Sequence, residues 1–268
     1  MDRLYLSFPQ WQGSGQSNEI YHGGKLLTES LDIYPFKKIE VPEKEKLTIE
    51  NNILGYKSLV SQLTDAKNIV QDSHAKQIFT LGGGCDVEVL PVSYLNNIYQ
   101  KDVALIWIDA HGDLNTPESS PSKNFHGMPL RLLIGDGDIQ LKSLTFSQIN
   151  PDQVFLFGVR DLDNPEKEYI SNHLIPVTTD SEILVDTIKE RHLSNVYIHL
   201  DLDALDLSEF PFVKVPSLKG LSIQKVKQLI SKLKSNFTIV GGSVVEYSPG
   251  PNKQGLETAT ELARLIFE

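Results

Sequence analysis

Short apolar runs alternate along this chain with longer stretches of helical spacing. Residues 4–8, 77–81, 103–108, 153–159, 195–200 and 237–246 read as strands, with a weaker run at 174–177. Spacing predicts helices over 49–70, 86–99, 181–191, 222–233 and 257–267, and Pro91 falls near the start of the second, where proline is tolerated. Repeated alternation of strand and helix implies an α/β fold with a mainly parallel sheet flanked by helices on both faces. The runs 103–108 and 153–159 are almost wholly apolar, as in strands covered on both sides. Neither a repeat of fixed period nor a Pro/Ser-rich spacer interrupts the 268 residues, so one domain spanning 1–268 is expected.

Two of these strands run directly into carboxylate clusters. Asp109-Ala110-His111-Gly112-Asp113 follows the run 103–108, and Asp201-Leu202-Asp203-Ala204-Leu205-Asp206 follows 196–200. A third stretch, Gly82-Gly83-Gly84, leads from the strand 77–81 into Cys85-Asp86. Carboxyl ends of parallel strands are where open α/β sheets place their ligands. Alternate residues of an extended segment project to one side, so Asp109, His111 and Asp113 converge, and Asp201 and Asp203 share a side with His199. Two carboxylates and an imidazole suit Mn²⁺, Fe²⁺ or Zn²⁺ better than Ca²⁺, whose sites are all oxygen. A lone Asp-x-His-x-Asp is also read as a strand-end turn with hydrogen-bonded aspartates. The second cluster favours metal, because crowded acids losing hydration cost several kcal/mol unless cations or donors compensate.

Composition narrows the classes. A formal charge of −10 argues against a nucleic-acid surface. The single cysteine excludes an intramolecular disulfide. The start Met-Asp-Arg-Leu-Tyr lacks a leader pattern, and no apolar run approaches the roughly 20 residues that span a bilayer. A cytoplasmic protein without nucleic-acid or membrane partners is expected.

With the late segment Val244-Val245-Glu246-Tyr247-Ser248-Pro249, these motifs resemble the arginase/agmatinase, or ureohydrolase, superfamily. That family carries Gly-Gly-Asp-His, Asp-Ala-His-x-Asp and Asp-x-Asp-x-x-Asp motifs and a late Glu at a strand end. Here they look like residues 82–85, 109–113, 201–206 and Glu246, in the same order and spacing. The resemblance implies an arginase-like three-layer sandwich and a hydrolase acting on C–N bonds of linear amidines. It further implies two Mn²⁺ ions bridged by a hydroxide that attacks a guanidinium carbon. Asp109 and Asp201 would bridge both ions, Cys85 and Asp113 would complete one site, and His111 and Asp203 the other. Glu246 would pair with the guanidinium, and His126 matches the family's proton-shuttle histidine. In the loop after the first motif, Asn115, Ser122 and Asn124 resemble the residues that hold an amino acid's α-carboxylate. Asp163 matches the acid that receives the α-amino group, and Glu166 a water-mediated partner. The resemblance also implies a homo-oligomer.

The chain departs from the pattern at Gly84, Cys85 and Asp86. Cys85 stands where a histidine ligand is usual, and Asp86 offers a rival register in which it reaches the metal instead. A thiolate would leave the cluster one charge more negative than a neutral imidazole does, raising the pKa of the bridging water, and it is softer than manganese prefers. One of the two Mn²⁺ sites is therefore expected to be weaker or taken by another divalent metal. The cysteine is similar to that of relatives acting on Nω-hydroxy-L-arginine, so the expected reaction releases urea or hydroxyurea and ornithine from L-arginine or Nω-hydroxy-L-arginine. A ureohydrolase-like binding or regulatory protein with an impaired metal site, and a formimidoylglutamase- or agmatinase-type hydrolase, are the alternatives. His199 replaces a small residue and reads as a buried, hydrogen-bonded histidine in preference to a donor behind the ligands. Val215 replaces a threonine, removing a hydroxyl near Glu246. Asp161 reads as a structural partner of Arg160 and is left outside the site.

Overall fold

The computed structural model describes residues 2–268. In chain order the elements are β1 (Arg3–Phe8), α1 (Glu19–Ser30), β2 (Lys37–Lys38), β3 (Ile49–Glu50), β4 (Ile53–Leu54), α2 (Tyr56–Ser73), β5 (Gln77–Gly82), α3 (Val89–Ile98) and β6 (Val103–Ile108). They continue with α4 (Pro129–Ile134), α5 (Ile139–Leu144), β7 (Val154–Phe157), α6 (Asn164–Asn172), β8 (Val177–Thr178), α7 (Ser181–Glu190), β9 (Asn195–Asp201), α8 (Ile223–Asn236), β10 (Thr238–Val245) and α9 (Leu256–Phe267). Eight strands form one sheet in the order β2-β1-β5-β10-β9-β6-β7-β8, parallel throughout. No helix is long and apolar enough to cross a membrane among the described residues.

Alternation along each strand divides the core into two layers. Val103, Leu105 and Trp107 of β6 pack on one face with residues of α2, α3, α4 and α5, while Ala104, Ile106 and Ile108 pack on the other with α7, α8 and α9. Every residue of β6 is buried, as its unbroken apolar run requires. The four central neighbours β5, β10, β9 and β6 end side by side. Their carboxyl ends deliver the segments bearing Cys85, Glu246, Asp201 and Asp109, at the place where strand order reverses direction.

Several boundaries differ from the sequence reading, each for a local reason. The helix expected over 49–70 starts at Tyr56, because Asn51 and Asn52 take positive φ (50° and 58°) and turn residues 49–54 into the β3–β4 hairpin. The helix expected from Asp86 is preceded by a 3₁₀ turn over Cys85–Glu88. Gln153 belongs to a capped 3₁₀ turn and Gly158 has φ of 90°, so β7 is confined to Val154–Phe157. The run 174–177 yields only Val177–Thr178, since Leu174 itself has positive φ. Spacing did not reveal α1, whose Gly23 lies against the Tyr247 backbone; a Cβ there would collide with it, so tertiary approach outweighs helix propensity.

Candidate metal centre

Asp109 stands one residue beyond β6, fully buried. Its Oδ1 accepts from the His111 backbone N–H at 2.7 Å, and its Oδ2 accepts from Trp107 Nε1 at 3.0 Å. Asp201 ends β9; its Oδ1 accepts from the Asp203 N–H at 2.7 Å and its Oδ2 from Cys85 Sγ at 3.0 Å. His111 Nδ1 lies 3.1 Å from Asp203 Oδ2 and 3.5 Å from Asp109 Oδ1. Asp113, at φ 52°, and Glu246, at φ 59°, hold left-handed backbone conformations that strain a residue with a side chain, and both are buried. Glu246 Oε1 accepts from Ser14 Oγ at 3.1 Å and lies 3.0 Å from His126 Nδ1.

Three groups of side chains bring donor atoms within 4.8 Å of one another: Cys85, Asp109, Asp113 and His199; Cys85, Asp201 and Glu246; and Asp109, His111 and Asp203. The expected ligands Cys85, Asp109, His111, Asp113, Asp201 and Asp203 all take part. Asp86, the rival to Cys85, enters none of these groups. Its carboxylate turns instead toward Gly13 and Gly84, where a side chain at either glycine would run into it.

The charge balance is what cations would repair. No Lys or Arg forms an ion pair with these carboxylates among the described residues. Burial, followed by repulsion from Asp109, pushes Asp113 well above the usual carboxylate range. Burial and the charges of Asp203 and Asp109 do the same to Asp201. Asp203 is pushed up to about 7 by burial and by Asp109. Asp109 goes the other way: burial raises it, but the adjacent His111 and His199 imidazoles win and hold it low. Burial and the surrounding acids also raise the Cys85 thiol. Asp113 Oδ2, Glu246 Oε2 and His199 Nε2 are buried without a hydrogen-bond partner. Oxygen donors with imidazole and thiol fit divalent transition ions, so the residues present fit a metal centre.

Above the acids opens a cleft lined by Cys85, His111, Asp113, Asn115, Ser120, Ser122, His126, Asp161, Asp163, Glu166, Asp201, Asp203 and Val215. Asn124 lies apart from that lining, beside Gly15. Asn115 Nδ2 donates to Asp163 Oδ2 at 3.0 Å, joining two of the expected substrate residues. Glu166 is a brace: its Oε1 accepts from the Leu114 N–H at 3.0 Å and its Oε2 from the Asp163 N–H at 2.8 Å, tying the loop to the first turn of α6. The Asp-x-x-Glu spacing of that capping box was visible in sequence.

Asp161 does not pair with Arg160. The Arg160 guanidinium donates to the carbonyls of Gly158, Asp203, Ala204, Ser217 and Leu218, since one planar fork can gather several loops. Asp161 instead bridges His111 in backbone pairing, and its Oδ2 sits 4.0 Å from His111 Nε2 at the rim of the cleft. Ser14, beneath Glu246, is a further site residue that sequence reasoning missed; only its long-range partner reveals it.

The family model described as the arginase family matches residues 12–268. The chain belongs to the arginase family. It is thus a metal-dependent hydrolase of arginase type, acting on a guanidino C–N bond, in a family whose centre is dinuclear. It is 34% identical to the arginase of Staphylococcus aureus (strain COL), covering 91% of this chain and 86% of that one. The crystal structure of arginase from Bacillus caldovelox, native at pH 5.6, matches with a TM-score of 0.82 at 26% identity, covering 99% of this chain and 98% of that one. That of Entamoeba histolytica arginase in complex with L-ornithine matches in fold with a TM-score of 0.86 at 21% identity, covering 100% and 97%. The α/β sandwich expected from the sequence is therefore the arginase-like fold.

Asp86 supplies a pH prediction for the metal-free protein. Burial raises its carboxyl to about 7, against the pull of His126 and with the help of Glu246's charge. Because this value lies above the unfolded one, near 4, the group's contribution to stability is whole below about pH 4 and is lost as pH rises through about 7. Asp86→Asn removes that loss. Relative to the parent, the variant is expected to gain a few kcal/mol in urea unfolding between about pH 4 and pH 8. A pH-independent difference would contradict this.

Proposed function

We propose that this chain is a dinuclear amidinohydrolase of a guanidino amino acid, acting on Nω-hydroxy-L-arginine in preference to L-arginine. The observation that carries this reading is the junction of two features: the buried donor groups, and the cleft over them whose lining includes Asn115, Ser122 and Asp163. Asp109 and Asp201 would hold both ions, Cys85 and Asp113 one of them, and His111 and Asp203 the other, with Mn²⁺ as the native metal. When bound, two divalent ions supply an acidified water as nucleophile beside the guanidinium carbon.

The remaining work falls to this chain's own groups. Glu246, with one oxygen held by Ser14 and His126 and the other unpartnered, orients the cationic guanidinium. His126 Nδ1 is engaged by Glu246, so its Nε2 carries protons to and from the leaving amine at the cleft. Loop donors Asn115 and Ser122 fix the α-carboxylate, while Asp163, held in place by Glu166, receives the α-amino group. An acid for the amine and uncharged donors for the carboxylate favour an α-amino acid over agmatine. Cys85 places this chain with the cysteine-for-histidine relatives that act on the hydroxylated guanidine. A cytoplasmic, single-domain enzyme is consistent with the lone cysteine.

The test is a substrate panel with Mn²⁺: L-arginine, Nω-hydroxy-L-arginine, agmatine and formimidoylglutamate. Hydroxyurea and ornithine from the hydroxylated substrate, at kcat/KM at least tenfold above that for arginine, is the expected outcome. Turnover of arginine alone would sink the substrate assignment, and turnover of agmatine would sink the role of Asp163.

A further inference from the structure

Beneath the donor groups runs a row of side chains that the arginase-type reading does not use. Parallel register places Thr80, Ser243, His199 and Trp107 side by side on β5, β10, β9 and β6. Paired residues of adjacent strands face the same way, so all four line the floor of the metal centre. His199 is fully buried there, its ring stacked on Trp107 with centroids 3.6 Å apart and planes at 18°.

The ring is held in one orientation. Glu88, also fully buried, projects from the 3₁₀ turn after β5, and its Oε1 lies 2.9 Å from His199 Nδ1. With the Nδ1–H donating to this carboxylate oxygen, Nε2 is left facing the acids. Nε2 has no hydrogen-bond partner and stands 3.7 Å from Asp109 Oδ2. A donor atom of His199 falls within 4.8 Å of donor atoms of Cys85, Asp109 and Asp113. A carboxylate bonded to one ring nitrogen while the other faces a metal position is a general arrangement for fixing an imidazole ligand.

We propose that His199, oriented by Glu88, is a nitrogen ligand of the ion held by Cys85, Asp109 and Asp113. The proposal rests on the dinuclear reading and deepens it. The chemistry explains why the position would recruit a neutral donor. Two aspartates and Cys85, whose Sγ already donates to Asp201 Oδ2 at 3.0 Å, leave that position without a neutral nitrogen donor. An imidazole adds donor strength without adding charge, and it suits Mn²⁺, Fe²⁺ and Zn²⁺ alike. The other ion keeps His111, so each position would have one nitrogen.

The experiment compares the full-length wild type with His199→Gln and Glu88→Gln. Mn²⁺ binding is followed by calorimetry, and nitrogen hyperfine coupling to bound Mn²⁺ by pulsed electron paramagnetic resonance. Wild type is expected to bind two ions and to show two imidazole nitrogens. His199→Gln should keep the His111 coupling, lose the other, and weaken one of the two ions by about 10- to 100-fold or more. Glu88→Gln keeps the ring and the shape of the pair, and should weaken that same ion by about tenfold while both couplings persist. If His199→Gln does not fold, as judged by circular dichroism, Glu88→Gln decides alone, and unchanged affinity there overturns the proposal. Two ions bound with unchanged affinity and unchanged nitrogen couplings in a folded His199→Gln variant overturn it while leaving the dinuclear reading intact. A wild type that binds no Mn²⁺ overturns both.

Discussion

Asp201→Asn is expected to make the metal-free protein more stable and the Mn²⁺-loaded protein inactive. Asp201 is buried at the end of β9, and burial with the charges of Asp203 and Asp109 raises its carboxyl well above the usual range. In the absence of cations its ionised form is a cost. Asparagine keeps the Oδ1 that accepts the Asp203 N–H at 2.7 Å, removes the charge, and puts an NH2 donor where Oδ2 accepts from Cys85 Sγ. Metal-free unfolding at pH 8 should therefore shift in favour of the variant by about 1 to 3 kcal/mol. The same change takes away an oxygen that would be shared by two ions, and turnover should fall by about three orders of magnitude or more. Mn²⁺ should raise the melting temperature of the parent strongly and that of the variant little. A residue with a merely structural role would lose stability in both forms.

Glu246→Gln separates substrate binding from metal binding. The carboxylate is buried, its backbone strained at φ 59° and pinned by a 2.7 Å bond from its N–H to the Gly83 carbonyl. Such strain persists where surrounding structure fixes it, and here it aims an unpartnered Oε2. Glutamine keeps the hydrogen bond from Ser14 but, on the proposed reading, would leave a guanidinium without its counter-charge. Truncating one side of a buried charged pair costs about 2 to 5 kcal/mol. Hence kcat/KM should drop roughly 30- to 5,000-fold, with two ions still bound. Loss of an ion in this variant would instead assign Glu246 to the metal, an option open because its donor lies close to those of Cys85 and Asp201.

The centre was legible in sequence to the extent that strands are. Apolar runs ending at Ile108 and Leu200 placed Asp109 and Asp201 at the carboxyl ends of parallel strands, and alternation then brought His111, Asp113 and Asp203 inward. Cys85 against Asp86 is a question of register in sequence; the 3₁₀ turn over Cys85–Glu88 sets Cys85 beside the other donor groups and turns Asp86 toward Gly13 and Gly84. Contacts between distant segments were not legible. Glu88 and His199 are 111 positions apart, and nothing in either neighbourhood announces the other. Ser14 and Glu246 are separated by 232. Arg160 was misread because an adjacent acid is the obvious partner in sequence, whereas the fold surrounds it with carbonyls. In α1, Gly23, which looks like a helix breaker, is what lets the helix approach the Tyr247 backbone, so local propensity pointed away from the answer.

On the proposed reading, the buried donor groups at the ends of β5, β6 and β9 form one centre for two divalent ions. Anomalous diffraction at the manganese edge from crystals of the full chain equilibrated with Mn²⁺ tests it most directly. Two peaks per chain are expected, one contacting Cys85 and Asp113, the other His111 and Asp203, with Asp109 and Asp201 touching both. A single peak, or peaks lying away from these side chains, would contradict it.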